Sequence, residues 1–265
     1  MTIDLWPDLL GCLDLAPRGT GVYEGRSQRL AYRRLFGGQL LAQFARAAAL
    51  AAPGKGLKSL HTQFLREGRA GEPVRYETEV PQEGRTFAAV RIVARQEHGI
   101  VAVAQASLHG WEEGADRQTV DPVPPLPGPE RAAELPLLPW ESRAATELDT
   151  EQSEPPVFEL WTRVPRAHRH LAPALLAYAT DLTPIGTALR PVKGVRQTDS
   201  GRVFVSAVTS HTVWYHRPAE TGDWLLLRQH SPVAAHGRCF GRGDVLTREG
   251  TLVASYAQEA LLRFL

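Results

Sequence analysis

The feature that most constrains this chain is that it says nearly the same thing twice. Leu40-Leu41-Ala42 returns as Leu175-Leu176-Ala177, and His61-Thr62 returns as His211-Thr212. Gly84-Arg85-Thr86-Phe87 returns as Gly237-Arg238-Cys239-Phe240. Val101-Ala102 with Gln105 following is paralleled by Val253-Ala254 with Gln258 following. One matching block would carry little weight, but four in the same order imply two copies of one unit, each able to fold by the same rules.

Each copy has the same order of elements. The first opens with a short amphipathic helix over 4–15 and a strand over 19–26, then a run of alanines and leucines over 40–50. That run is a strong helix former, and being apolar on nearly every side it must be buried. Strand patterns follow over 57–66, 74–80, 86–96 and 100–108 with no helix between them. In the second copy a strand over 158–165 and an apolar helix over 171–181 precede strands over 203–208 and beyond, 224–230, 238–247 and 252–262. Strands in succession beside one helix form an antiparallel sheet packed on that helix, not a doubly wound parallel sheet. The fold class expected is α+β, two tandem units over 1–111 and 157–265. Between them, 112–156 carries prolines at 122, 124, 125, 127, 129, 136, 139, 155 and 156, which excludes sheet and helix interiors and predicts a surface connector. Leu135, Leu137, Leu138 and Trp140 are the residues expected to pack on the way.

Composition excludes several functions. The net charge of +1 gives no electrostatic footprint for nucleic acid. Cys12 and Cys239 stand alone, so there is no clustered metal site; the reading favoured is two small apolar fillers in a reducing compartment, a disulfide between them remaining open. The opening residues lack the pattern of a signal peptide, and no window reaches the ~20 apolar residues of a membrane span. A soluble cytoplasmic protein without cofactor or metal is the expectation. No Gly-x-Ser-x-Gly or phosphate-loop motif occurs.

The motifs narrow the fold. Tyr23-Glu24-Gly25-Arg26-Ser27-Gln28, seven intervening residues and then Phe36-Gly37-Gly38-Gln39 form the first group. Phe64-Leu65-Arg66, Trp214-Tyr215-His216-Arg217-Pro218 and Leu252-Val253-Ala254-Ser255-Tyr256-Ala257-Gln258-Glu259 complete the set. In this order they resemble the type II acyl-CoA thioesterases, over most of the chain apart from the connector. The resemblance implies a double hotdog: two tandem units, each an antiparallel sheet wrapped round a buried helix. It implies hydrolysis of acyl-CoA, or a related acyl thioester, to free acid and CoA. It also implies assembly into a homo-oligomer, although two halves of one chain can already pair.

Family members hold the attacking water with an aspartate, a serine or threonine, and a glutamine. The resemblance places the aspartate on Asp181 and the glutamine on Gln258. The hydroxyl position falls on Val208, which cannot hydrogen-bond a water, and Ser210 stands where the family has an acid. Strand alternation puts Val208, Ser210 and Thr212 on one face and Thr209 and His211 on the other. Ser210 shares the face of Val208 but lies roughly 7 Å further along, and a bulge at this point would bring Thr209 into the role. Gly37, Gly38 and Gln39 are the expected substrate-binding residues, the glycines allowing close approach to backbone N–H groups at a helix start. The block comparison sets Arg46 opposite Asp181, so at most one copy is catalytic in this way. For His61 and His211 the reading favoured is structural, and for His216-Arg217 a solvated turn rather than a phosphate contact. Two other functions remain open: a non-catalytic acyl-thioester binder that has lost the hydroxyl, and a hotdog hydratase or dehydratase, which needs a histidine–acid pair facing substrate.

Overall fold

The computed structural model describes residues 4–32 and 34–265. The first copy runs α1 (Leu5–Leu13), β1 (Ala16–Pro17), β2 (Val22–Gly25), α2 (Gly37–Ala51), β3 (Gly56–Phe64), β4 (Val74–Glu83), β5 (Phe87–Gln96) and β6 (Gly99–His109). Asp4 caps α1, its carboxylate accepting from the Trp6 amide at 3.1 Å. Helix α2 is the long apolar run expected, and it lies across β3, β4, β5 and β6. Leu41, Phe44 and Ala48 of α2 are buried with Leu60, Tyr76, Ile92 and Leu108 of those strands. Burying each large side chain contributes about 1.5–3 kcal/mol, which is why a helix with no polar face settles on a sheet.

The second copy runs β7 (Glu141–Arg143), β8 (Val157–Arg163), α3 (Ala172–Thr180), α4 (Pro184–Leu189), β9 (Phe204–Tyr215), β10 (Leu225–Ala235), β11 (Arg238–Thr247) and β12 (Leu252–Phe264). Spatial order within the first copy is β1-β2-β4-β5-β6-β3, and within the second β7-β8-β10-β11-β12-β9. Neighbouring strands pair antiparallel, β4 to β5 and β5 to β6 in the first copy, β10 to β11 and β11 to β12 in the second. The duplication read from the sequence is therefore also a duplication of topology.

The two compact units do not divide the chain as the sequence blocks do. One comprises residues 1–116, 168–179 and 212–215, the other 117–167, 180–211 and 216–265. The stretch expected as a separate connector thus counts with the second unit from Arg117 onward. It contributes the edge strand β7, paired to β8, and Val120, Val123 and Leu126 cover a cluster of Trp161, Trp224, Leu226 and Leu246. Leu138 is buried as expected, and Trp140 Nε1 donates to Thr162 Oγ1 at 2.6 Å.

One helix was not expected. In the second unit it is α4 that packs on β8, β10, β11 and β12, while nearly all of α3 counts with the first unit. Ala188 and Leu189 of α4 share a core with Phe204, Cys239, Ala260 and Leu262. Proline at the start of a helix is a recognised beginning signal, and Thr183-Pro184 carried it. Cys12 and Cys239 are both free and buried, as fillers, and burial pushes their thiols up to about 12 and about 11. Among the described residues no helix is long and apolar enough to cross a membrane.

Candidate active site

The helical run after Arg169 breaks at one place for one reason. Pro184 has no amide hydrogen, so the hydrogen bond it would return to the carbonyl of Thr180 cannot form, and α3 ends there. The three residues Asp181, Leu182 and Thr183 bridge to α4, with Thr183 at its N-cap. Asp181 therefore sits just beyond a helix carboxyl end, where the dipole disfavours an anion, and is only 4% exposed. A carboxyl group in that position needs partners.

Gln258 of β12 supplies one, with a histidine of β9 beside it. His211 is wholly buried, with Nδ1 2.8 Å from Gln258 and 4.0 Å from Asp181 Oδ1. Its Nε2 lies 3.0 Å from Thr180 Oγ1. The Gln258 amide is better satisfied in one of its two orientations. With its oxygen toward Asp181 it would face acceptors. Turned over, Nε2 donates to Asp181 O at 3.2 Å, to Asp181 Oδ1 at 3.3 Å and to His211 Nδ1 at 2.8 Å. Polarity then follows round the cluster. His211 Nδ1 accepts, so its proton is on Nε2, and Nε2–H donates to Thr180 Oγ1. Burial depresses the imidazole to about 4, so the ring is neutral at pH 7 and the 4.0 Å approach to Asp181 is not an ion pair. Tyr256 stacks on the ring, with centroids 5.9 Å apart and planes 11° from parallel.

Asp181 and Gln258, named from the sequence, thus meet; His211 and Thr180, not named for this site, join them. What brings His211 into the cluster is the burial phase of β9. Phe204 points inward and so do His211 and Val213, which lie an odd number of residues further on. Simple alternation cannot do that, so the phase slips across 205–210, none of which is fully buried. The expected site face, that of Val208, Ser210 and Thr212, is corrected: the side chain of β9 that reaches Asp181 is His211. The same slip undoes the literal equivalence of the two His-Thr pairs, because His61 is exposed with Thr62 buried, whereas His211 is buried. His61 instead meets the second stretch, Nδ1 lying 3.3 Å from Thr212 Oγ1 and its ring edge-on to Trp214 at 5.7 Å. Thr209 Oγ1 donates to the Glu259 carbonyl at 3.0 Å, beside Gln258 on β12, and Val208 is half-buried.

Comparison with known proteins identifies the family. Residues 27–109 match the model of the acyl-CoA thioesterase N-terminal domain, and 112–262 that of the acyl-CoA thioesterase C-terminal domain. The chain belongs to the type II acyl-CoA thioesterase family. It is 30% identical to acyl-CoA thioesterase 2 of Haemophilus influenzae, over 98% of this chain and 99% of that protein. The tesB protein of Mycobacterium avium subs paratuberculosis superposes with a TM-score of 0.81 at 32% identity, covering 97% of this chain and 99% of its own. A hot dog fold protein of unknown function from Alicyclobacillus acidocaldarius, 20% identical, shares the fold at a TM-score of 0.77, covering 96% of this chain and 97% of its own. The double hotdog expected from the motifs is the fold found.

Within this thioesterase the amino-terminal motif is a lock on α2. Gln28 N donates to Gln39 Oε1 at 2.8 Å, and Gln39 Nε2 donates to Gln43 Oε1 at 3.1 Å. Gln43 Nε2 donates to the Arg26 and Cys12 carbonyls at 3.0 and 2.8 Å, and Tyr76 Oη donates to Gln43 Oε1 at 2.6 Å. Gln39, expected to bind substrate, is 1% exposed with both ends of its amide engaged by protein. Gly38 is bare for a packing reason: a Cβ there would stand 2.6 Å from the Phe36 ring and 2.8 Å from the Tyr178 carbonyl. The space left by the missing side chain is filled by protein rather than left for a ligand. Gly37, at the start of α2, is half-buried.

Proposed function

We propose that this chain hydrolyses acyl-CoA thioesters to free acid and CoA, with Asp181 as the base that takes a proton from the attacking water. The observation that supports it is the convergence of Asp181 and Gln258, from separate elements, on one buried cluster. Water oxygen bonds to the thioester carbonyl carbon as its proton passes to Asp181. The tetrahedral adduct then collapses, the C–S bond breaks, and the proton on Asp181 goes to the departing thiolate, which restores the base. Both N–H bonds of Gln258 are directed at His211 and Asp181, so its contribution is to fix the carboxylate and to offer Oε1 as an acceptor to the water. Thr209, its proton given to the Glu259 carbonyl, acts by holding β12 next to Gln258 rather than by donating to the water. Of Gly37, Gly38 and Gln39, only Gly37 is retained as a substrate contact.

The hydratase reading draws on the proximity of His211 to Asp181, but both ring nitrogens of that histidine are engaged by protein groups. The test is release of free thiol from acyl-CoAs of varied chain length. Asp181→Asn is expected to lower kcat by roughly 10²–10⁴-fold, the range for a general base, with the fold and melting temperature kept. Wild-type turnover in that variant would reject Asp181 as the base. Binding of acyl-CoA without turnover by the native protein would favour the binder, and hydration of an enoyl-CoA the hydratase.

A further inference from the structure

The second unit has lost the family's hydroxyl at Val208 yet keeps its aspartate and glutamine in contact. That contact depends on which way the Gln258 amide is turned. In the reversed orientation its oxygen would lie against the Asp181 carboxylate and carbonyl oxygens. Asp181 already disfavours that reversal, and a fixed acceptor from outside it adds to the preference. We infer that His211 is a positioning residue: anchored through Nε2–H to Thr180, it presents a lone pair at Nδ1 that holds the Gln258 amide with Nε2 toward Asp181.

Three observations carry this, and it rests on the reading of Asp181 as base. The ring is wholly enclosed, with Tyr256 stacked beside it. Its two nitrogens meet two different groups, Thr180 at the end of α3 and Gln258 on β12, so a reversal of the ring would change the chemistry at both ends. Among the described residues, the titratable groups facing the ring are Asp181 from the segment after α3 and Tyr256 from β12. Tyr256 is buried and its phenol is held well above the usual range, chiefly by burial, so it stays neutral. A protonated ring would have no acceptor at Nδ1 and would turn the Gln258 oxygen toward itself, against Asp181. Neutral imidazole is therefore the form that builds the site. Thr180 stands one residue before the base and acts on the cluster through the histidine.

The experiment compares His211→Leu with His211→Asn in steady-state hydrolysis of one acyl-CoA. Leucine fills the space without an acceptor, while the asparagine Oδ1 can accept from Gln258 where Nδ1 did. His211→Leu is expected to lower kcat about 100-fold with KM within about twofold, and His211→Asn to recover to within about tenfold of wild type. Equal kcat in the two variants, or wild-type kcat in His211→Leu, overturns the inference. Where His211→Leu does not fold, Thr180→Val against Thr180→Ser is the second pair, with only serine expected to restore the rate. Nitrogen-15 spectra of the ring should report the Nε2–H tautomer unchanged from pH 8 to pH 5; an Nδ1–H tautomer sinks the proposal outright. Failure of Asp181 as base separates cleanly from failure of this inference. In the first case Asp181→Asn turns over at the wild-type rate; in the second it is inactive while His211→Leu is not impaired.

Discussion

Lowering the pH should destabilise this protein in a way that one residue controls. His211 is buried without charge and its imidazole is depressed to about 4 in the folded chain, chiefly by loss of solvent. In the unfolded chain it titrates near the ordinary value of about 6.5. Between those values the unfolded state binds the proton and the folded state does not, so stability falls as the pH falls. The contribution is fully present above about pH 6.5 and is lost progressively down to about pH 4. The full shift corresponds to about 3 kcal/mol, of which about 2 kcal/mol is already lost between pH 8 and pH 5. Urea unfolding of wild type and His211→Asn at pH 8, 7, 6 and 5 isolates the effect, because the other groups cancel in the difference. The variant should start less stable at pH 8, having lost a good ring fit, and the gap should narrow by about 2 kcal/mol at pH 5. Parallel curves for the two proteins would mean that His211 is not buried neutral, and the polarity assigned to the whole cluster would go with it.

Two further outcomes test the first unit. Gly38→Ala places a Cβ against Phe36 and the Tyr178 carbonyl; overpacking costs about 1–3 kcal/mol, offset by up to about 1 kcal/mol of helix propensity, so a melt should show a net loss of about 1–2 kcal/mol. A raised KM with unchanged melting would instead return Gly38 to substrate contact. The Asp8 carboxylate is buried and bonded to Arg26 Nη1 at 2.7 Å, Arg29 Nε at 3.0 Å and the Arg29 amide at 2.7 Å. Burial opposes its charge, but those bonds outweigh it and hold the carboxyl below its usual range. Asp8→Asn should cost about 1–2 kcal/mol at pH 7, and the difference should disappear in acid, as the wild-type carboxyl takes up its own proton; a difference that persists there would refute the ionic account.

Much of the fold was readable because it rests on local patterns. The largely apolar stretch over 40–50, rich in alanine and leucine, reads as a buried helix, and the alternation in Val74–Glu83 and Phe87–Gln96 as half-buried strand. What escaped was short or depended on a phase. Helix α4 has six residues, too few for periodicity to appear, and only its proline announced it. The phase slip within β9 lies among half-buried residues, whose sequence does not mark which side faces the sheet's helix. Asp181 and Gln258 were found by resemblance, whereas His211 was read as structural since its echo at position 61 invited a shared role.

By itself, then, the sequence determined the duplication and the α+β pattern, since repeats and periodicity are properties of the chain in one dimension, and its resemblance to a family pointed to Asp181 and Gln258. Tertiary structure decided which side chains complete the site and in what protonation state. Those depend on burial and on the direction of each hydrogen bond: a histidine at position 211 is a surface cation or a neutral acceptor according to whether water reaches it. Only the packing of Thr180, Tyr256 and Gln258 around the ring removes the water.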